Sequence, residues 1–424
     1  MSPRIGFGKE ETTIPTRKEV AERAGVSEAT VSRVLNGVGP VREKTRRRVL
    51  EAAEALGYRP NAVARNFALG RSGHFGVVVP HIPKVHLFST HYFSELLSGI
   101  GEAAGRMGYG LLLLFRNPDE RFDYETLFRE KRVDALLVLG SRDTPAEREE
   151  LLKLRKTGAP FCLVSQYVPG ERLPSVDADH VSGARAAVRH LVALGCRRIA
   201  FLNGPAVYSN SRDRLIGYRA ALEEAGIAYD PDLVVEADYS RTGGARAAEE
   251  RIAPIVGRLD AVFAANDRMA IGLVQVLKAR GVAVGRDLAV VGYDDSDDAR
   301  LCDPPLSTVR VPLYEMGRAA AERVLRLAGV VSGGRRAAAD RSTGDDAAEA
   351  SGTAAATATG AGVRRTTGEV AAAEAASFSA EPLPEFLPES VRSEEGRWLF
   401  PAELVVRASS TAWKSHFLRK EEGS

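Results

Sequence analysis

Glu19-Val20-Ala21-Glu22-Arg23-Ala24-Gly25-Val26-Ser27, followed by Ala29-Thr30-Val31-Ser32-Arg33-Val34-Leu35-Asn36, is the stretch from which the amino-terminal fold is read. Upstream, Thr16 and Glu19 have the spacing of a capping box, and Val20, Ala21 and Ala24 then fall on one helical face. Gly25 breaks that helix. Ser27 caps a second, Glu28 to Asn36, whose Val31, Val34 and Leu35 turn inward while Glu28, Ala29, Ser32 and Arg33 turn outward. Two short helices joined by a tight turn form a helix-turn-helix, a unit that offers its second helix to the DNA major groove. A third helix, about Arg42 to Leu56, adds Val49, Leu50, Ala53 and Leu56 to a small core and sets Arg46, Arg47 and Arg48 near phosphates.

Side-chain chemistry distributes the roles. The Arg33 fork matches guanine O6 and N7, Glu28 can accept from cytosine N4, and Ala29 offers a methyl contact. Thr16, Ser27, Thr30, Ser32 and Asn36 are short donors suited to phosphate oxygens. Set against this, Glu28 also complements a helix dipole and Arg33 is equally at home in solvent. Charge supports the nucleic-acid reading: residues 1–72 carry a net +6 and the remainder −4, within an overall +2. A basic head on an acidic body directs the head to a polyanion.

This head resembles that of the lactose/galactose repressor family, both in the residues quoted above and in Leu56-Gly57-Tyr58-Arg59-Pro60-Asn61-Ala62-Val63-Ala64-Arg65. The resemblance implies dimers on near-palindromic operators and a hinge helix, about Asn61 to Leu69, entering the minor groove. Phe67 stands where the family usually places a leucine wedge, and Arg42 where a small hydroxyl residue is common. Arg17, Thr45, Tyr58, Asn61, Ala64 and Phe67 complete the set expected to meet DNA. Nine residues are too few for a helix stable alone in water, so the hinge is expected to order only where two copies meet on DNA.

From Phe75 onward short apolar runs alternate with amphipathic helices: Phe75 to Val79, Leu111 to Leu114, Ala135 to Leu139, Pro160 to Val164, Ile199 to Leu202, Ala261 to Ala264 and Leu288 to Gly292. Continuous hydrophobicity marks strands covered on both faces, hence parallel sheets between helix layers. Ligands in such folds sit beyond the carboxyl ends of strands. There stand Ser165, Asn266-Asp267 and Asp294-Asp295, and loop residues Tyr92, Phe93, Arg214 and Tyr239 complete a pocket suited to a sugar or another small polar molecule. Asp267 is equally placed to cap the following helix, and Tyr239 to pack.

Arg214-Leu215-Ile216-Gly217-Tyr218, Val262-Phe263-Ala264-Ala265-Asn266-Asp267 and Val290-Val291-Gly292-Tyr293-Asp294-Asp295 extend the resemblance through this body, which is similar to periplasmic sugar-binding proteins. The matching positions imply effector contacts for Arg214, Asn266 and Asp294, with Tyr92, Phe93 and Tyr239 as walls. Ser165 lies where the family often has an acid, and the loop Pro80 to His91 is longer than usual. The fold class expected is therefore an all-α helix-turn-helix headpiece plus an α/β two-lobed, periplasmic-binding-protein-like core with two parallel doubly wound sheets.

Other readings weigh less. His74, His81, His86 and His91 gather four of the seven histidines but lack the i,i+4 spacing of a helical zinc site. Gly70, Gly73 and Gly76 precede a strand instead of following it, unlike a phosphate loop. Neither metal nor cofactor is expected. Cys162, Cys196 and Cys302 read as buried thiols in a reducing compartment. A transport-type sugar-binding protein would share the body but carry a signal peptide, whereas Met1 to Thr13 is polar; a cytoplasmic location is expected. An enzyme of doubly wound fold would need a nucleophile with its base, and none is found.

Residues 332–380 hold 35 Ala, Gly, Ser or Thr among 49, so a low-complexity, disordered insertion is expected over 330–397. The organisation expected is a flexible start over 1–13, a DNA-binding domain over 14–59 and a hinge over 60–72. A first lobe follows over 73–176 and 309–329, then a second over 177–308 and 398–412, with a flexible tail over 413–424. The function expected is a ligand-responsive regulator, a repressor, binding operator DNA as a homodimer under a sugar-like effector, with no membrane partner.

Overall fold

The computed structural model describes residues 15–37, 39–59, 66, 70–80, 87–329, 383–384 and 387–411. The chain divides into two compact units, Met1–Gly73 and His74–Ser424.

The head is built by three helices, α1 (Arg17–Ala24), α2 (Glu28–Asn36) and α3 (Glu43–Ala55). Local chemistry sets their ends. Thr16 and Glu19 close the capping box on α1, and the Ser27 hydroxyl accepts from the Thr30 amide at the start of α2. Gly25, at φ 62°, ends α1 in the left-handed region that glycine enters without strain. Val20, Val31, Val34 and Val49 then close a small core with Ala21, Ala24, Ala52 and Ala53. Leu50, expected in that core, is 48% exposed, while Leu56 packs at its margin. Arg48 turns back to donate to the carbonyls of Ala24 and Gly25, Nε lying 3.1 Å from the Ala24 oxygen, so it ties α3 to the turn instead of standing ready for phosphate. Ser27→Ala is expected to cost about 1 kcal/mol of head stability, read from the hydrogen exchange of the α2 amides; unaltered protection would show that the cap contributes nothing.

The body carries two parallel sheets. In the first, β1 (His74–Pro80), β2 (Gly110–Arg116), β3 (Ala135–Leu139), β4 (Phe161–Val164), β5 (Ser175–Ala178), β11 (Arg392–Glu394) and β12 (Arg397–Phe400) run in the order β11-β12-β5-β4-β3-β1-β2. Among the described residues of this sheet only the β11–β12 pairing is antiparallel. The second sheet places β6 (Ile199–Asn203), β7 (Val234–Glu236), β8 (Ala261–Ala264) and β9 (Ala289–Val291) in the order β7-β6-β8-β9, all parallel. Neighbouring residues of one strand enter different cores: Val77, Val79, Leu137 and Leu139 on one face, Val78, Leu136 and Val138 on the other. That is the two-sided burial which the unbroken apolar runs require.

Between the sheets the chain crosses three times: after β5, through β10 (Thr308–Arg310), and through β13 (Glu403–Val405), which pairs antiparallel with β10. The strand resuming at Trp398, expected within a second-lobe segment 398–412, lies in the first sheet, with Trp398 opposite Val176. The Trp398 ring is fully buried and Arg323 stacks on it, the guanidinium carbon 4.4 Å from the ring centroid. Burying this indole fixes the return of the chain to the first sheet before it crosses again. The segment expected to be disordered over 330–397 includes β11 at its carboxyl end, while residues 330–382 lie outside the described residues.

Candidate DNA-binding and effector-binding sites

On the head, α2 presents Glu28, Ala29 and Arg33 to solvent, with Ser32 and Asn36 half-buried beside them. Glu28 is engaged by Arg17, Nε to Oε2 at 3.0 Å, so an exposed ion pair joins the first turns of α1 and α2. Asn36 Nδ2 donates to the Ser32 hydroxyl at 3.1 Å, and the Ser27 and Thr30 hydroxyls lie 3.0 Å apart. Thr16 is committed to its cap, where its amide and hydroxyl hold the Glu19 carboxyl below the usual carboxylate range. Thr45 is half-buried in α3 and Tyr58 packs against the head core. Asn61, Ala64 and Phe67 of the expected hinge lie outside the described residues, as do His81 and His86 of the loop after β1.

In the body, the effector residues expected from sequence converge where strands of both sheets end. Arg214 stands in the first turns of α8 (Ser209–Glu224) and is 4% exposed. Its Nη1 donates to the Ala265 carbonyl at 2.7 Å, its Nη2 lies 3.4 Å from His180 Nδ1, and its guanidinium carbon sits 4.0 Å from the Tyr293 ring centroid. The Tyr239 hydroxyl, 2.6 Å from Ser211 Oγ, donates to Asn210 Oδ1 at 3.0 Å. Asn266 caps α10 (Asp267–Ala279), its Oδ1 accepting from the Met269 amide while Nδ2 donates to the Tyr239 carbonyl. The capping role that sequence left open for Asp267 thus belongs to Asn266.

Asp267 does something else. Its carboxylate accepts from the Thr308 hydroxyl at 2.6 Å and from the amide and hydroxyl of Ser296 at 2.8 and 3.0 Å. It thereby holds the loop carrying Asp294, whose φ of 111° lies in the region L-residues rarely adopt. Burial pushes the Asp294 carboxyl up to about 8, with the Arg214 cation opposing the shift and the Asp267 charge adding to it. The adjacent Asp295 is held below the usual carboxylate range despite burial, because Arg407 and Arg310 hydrogen-bond to it. Both arginines lie on crossing segments, so one carboxylate pins two of the three connections.

The opposite wall comes from the first sheet. Ser165 follows β4 with φ 59° and is 1% exposed. Burial pushes the Tyr92 phenol well above its ordinary value, with the Ser165 hydroxyl opposing the shift. Phe93 stands edge-on to Tyr92, ring centroids 4.9 Å apart, and packs into the core. The two lobes also bond directly. Asp143 binds Arg212 at 3.1 Å and donates its amide to the Val207 carbonyl at 2.9 Å. Gln166 Oε1 accepts from the Ser209 amide at 2.9 Å, and the Tyr167 hydroxyl donates to Asp213 at 2.8 Å.

Asp177, His180, Asp213 and Tyr293 line this place too and were missed in the sequence. Asp177 and Asp213 are flanked by residues that read as strand or helix packing, and nothing local shows that the two approach one cleft.

Comparison with known proteins agrees with this construction. Residues 16–61 match the lacI family of bacterial regulatory proteins, and residues 188–345 match the periplasmic binding protein-like domain. The HTH-type transcriptional repressor CytR of Escherichia coli K12 is 34% identical over 318 residues, 74% of this chain and 89% of that protein. The HTH-type transcriptional regulator CelR of Thermobifida fusca is 37% identical over 310 residues, 72% of this chain and 89% of that one. Among solved structures, a CelR–cellobiose complex matches with a TM-score of 0.59 at 30% identity, covering 93% of this chain and all of that one. The Lac repressor dimer bound to operator and an anti-inducer matches with a TM-score of 0.68 at 25% identity, covering 93% and 99%. No helix among the described residues is long and apolar enough to cross a membrane. The capped helix pair on the head and the polar cleft between two parallel sheets are thus those of a ligand-responsive DNA-binding regulator, and the chain belongs to the LacI family.

Proposed function

We propose that this regulator is a repressor that grips a near-palindromic operator as a homodimer, α2 of each head entering the major groove, and that a small sugar-like effector in the cleft changes its affinity. The observation that carries the reading is Arg214, a buried guanidinium stacked on Tyr293 and facing Asp294 and Tyr239 where both sheets end. Aromatic faces against a ring, with a carboxyl and a guanidinium at its edge, suit hydroxyl groups that both donate and accept. The solved relatives support it by what they hold: cellobiose in one, an operator and an anti-inducer in the other.

DNA contacts are assigned to Thr16, Arg17, Ser27, Glu28, Ala29, Thr30, Ser32, Arg33, Asn36, Thr45 and Tyr58, and in the hinge to Asn61, Ala64 and Phe67. Effector contacts are assigned to Tyr92, Phe93, Ser165, Arg214, Tyr239, Asn266 and Asp294. A second copy is supported by β2, an edge strand of the first sheet whose Leu111 and Phe115 are 44% and 53% exposed. Apolar side chains on an unpaired edge invite a partner. The test is operator binding by fluorescence anisotropy with a panel of mono- and disaccharides, beside the sedimentation of the free protein. A sugar that shifts operator affinity at least tenfold, with a dimer in solution, is the expected result; a monomer at micromolar concentration or indifference to every sugar would overturn it.

A further inference from the structure

The cleft contains two acids that no effector contact assigned above uses. Asp177 lies on β5 of the first sheet and is completely buried; Asp213 lies on α8 of the second lobe and is 6% exposed. Asp177 Oδ1 accepts from the Ala178 amide at 2.9 Å and lies 3.2 Å from His180 Nε2. Its other oxygen, Oδ2, is buried and has no hydrogen-bond partner among the described residues. An unpartnered carboxylate oxygen away from water costs several kcal/mol in general terms, so a chain that keeps one has a use for it.

The surroundings place Asp177 beside the cleft. The His180 ring that it holds lies 3.1 Å from the Tyr293 hydroxyl and 3.4 Å from Arg214, the residue after Asp213 on α8, and the Asp177 charge acts on the phenols of Tyr92 and Tyr167 and on the Asp213 carboxyl. Asp213 accepts from Tyr167 through Oδ1 at 2.8 Å, and burial together with the Asp177 charge pushes its carboxyl up. Two acids from opposite lobes thus border one region of the cleft, with phenols, His180 and the Arg397 guanidinium around them. The cations of this region are already placed: Arg397 stacks on the Tyr167 ring at 4.0 Å and Arg214 on Tyr293. With the cations at the walls and bare acceptors in the middle, the missing complement is a set of donors carried by a neutral molecule.

We propose that Asp177 and Asp213 form an acceptor subsite, one carboxylate from each lobe, that takes hydroxyl donors of a neutral polyhydroxylated effector and so joins the lobes through the ligand. This deepens the sugar-like reading of the cleft and rests on it. A hydroxyl pair donating to both acids removes the orphaned acceptor and replaces acid facing acid by acid–donor–acid. The direct latches, Asp143 with Arg212 and Gln166 with Ser209, close the same gap from outside.

The test uses the full-length chain and isothermal titration with D-glucose, D-ribose, cellobiose and sorbitol, each beside its singly deoxygenated or aminated counterpart. The expected result is that at least one neutral compound binds the parent chain, that Asp177→Asn and Asp213→Asn each weaken it about 10- to 100-fold, and that one deoxy analogue binds parent and variant equally. Where Asp177→Asn does not fold, judged by circular dichroism, Asp177→Ser and Asp213→Asn carry the same comparison. Unchanged affinity in the folded variants overturns the subsite while leaving the sugar-binding cleft intact. An aminated compound binding tenfold tighter than its neutral parent overturns the hydroxyl assignment in favour of a cation. Failure of every polyhydroxylated compound to bind the parent chain overturns both readings together.

Discussion

Arg33→Ala is expected to reduce operator preference by about 1–3 kcal/mol, roughly fivefold to 150-fold in relative affinity. The reason lies in how the head distributes its guanidiniums. Arg17 is paired with Glu28 and Arg48 is spent on the carbonyls that end α1. Arg33 is exposed on the outer face of α2, and among the described residues no hydrogen bond or ion pair is seen for its side chain. It can therefore offer both donors of its fork to one guanine without breaking a bond within the head. Lysine keeps the charge but not the fork, so Arg33→Lys should restore attraction to DNA without restoring preference. Anisotropy on operator and random duplexes across a salt series separates the cases. Equal losses on both, with a shallower salt slope, would reduce Arg33 to a phosphate contact.

The head was legible from sequence because its determinants are local. A hydroxyl three residues before a carboxylate, a glycine after a helix and valines at helical spacing act within a few residues of themselves, and α1 and α2 begin and end where those rules place them. Most strands of the two sheets were legible for a related reason: burial on both faces leaves an unbroken apolar run, as at Ala135–Leu139 and Ala261–Ala264. β5 and β7 were not. β7 has three residues and β5 four, one of them an aspartate, and neither length nor composition separates them from a loop.

What sequence could not supply was pairing at long range. Trp398 reads as the start of a strand, but its place beside Val176 depends on how the chain recrosses between lobes, which no local pattern encodes. Arg48 shows the same limit within one small domain, since its charge suggests DNA while its reach across the fold assigns it to the turn. Asp177 combines both. It is an acid inside a strand that pairs with the preceding β4 on one side and with β12, from a distant segment, on the other, and only that second pairing shows that it ends at the cleft.

Asp294→Asn is expected to abolish the effector response and, without ligand, to stabilise the body increasingly as pH rises from about 4 to about 8. Both effects follow from one carboxyl. Burial raises it to about 8 in the folded chain, whereas an unfolded chain leaves it near the ordinary value of about 3.9. Between those limits the folded protein binds more protons than the unfolded one, so the contribution of Asp294 to stability falls as pH rises through that interval and is fully lost above it. Asparagine keeps the size and has no charge to bury. The variant should match the parent chain near pH 4 and exceed it by about 1–3 kcal/mol near pH 8, read from denaturant melts at both values. A ligand hydroxyl that donates to this carboxyl draws it into its ionised form, and loss of that charge-assisted bond weakens binding by about 1.5–3 kcal/mol, enough to hold operator affinity constant at effector concentrations that shift the parent chain. A melt difference independent of pH would show that Asp294 is ionised and satisfied in the closed cleft. A retained dose response would place the effector away from it. The two readouts together thus ask whether this residue gives up stability to keep an acceptor ready for a ligand.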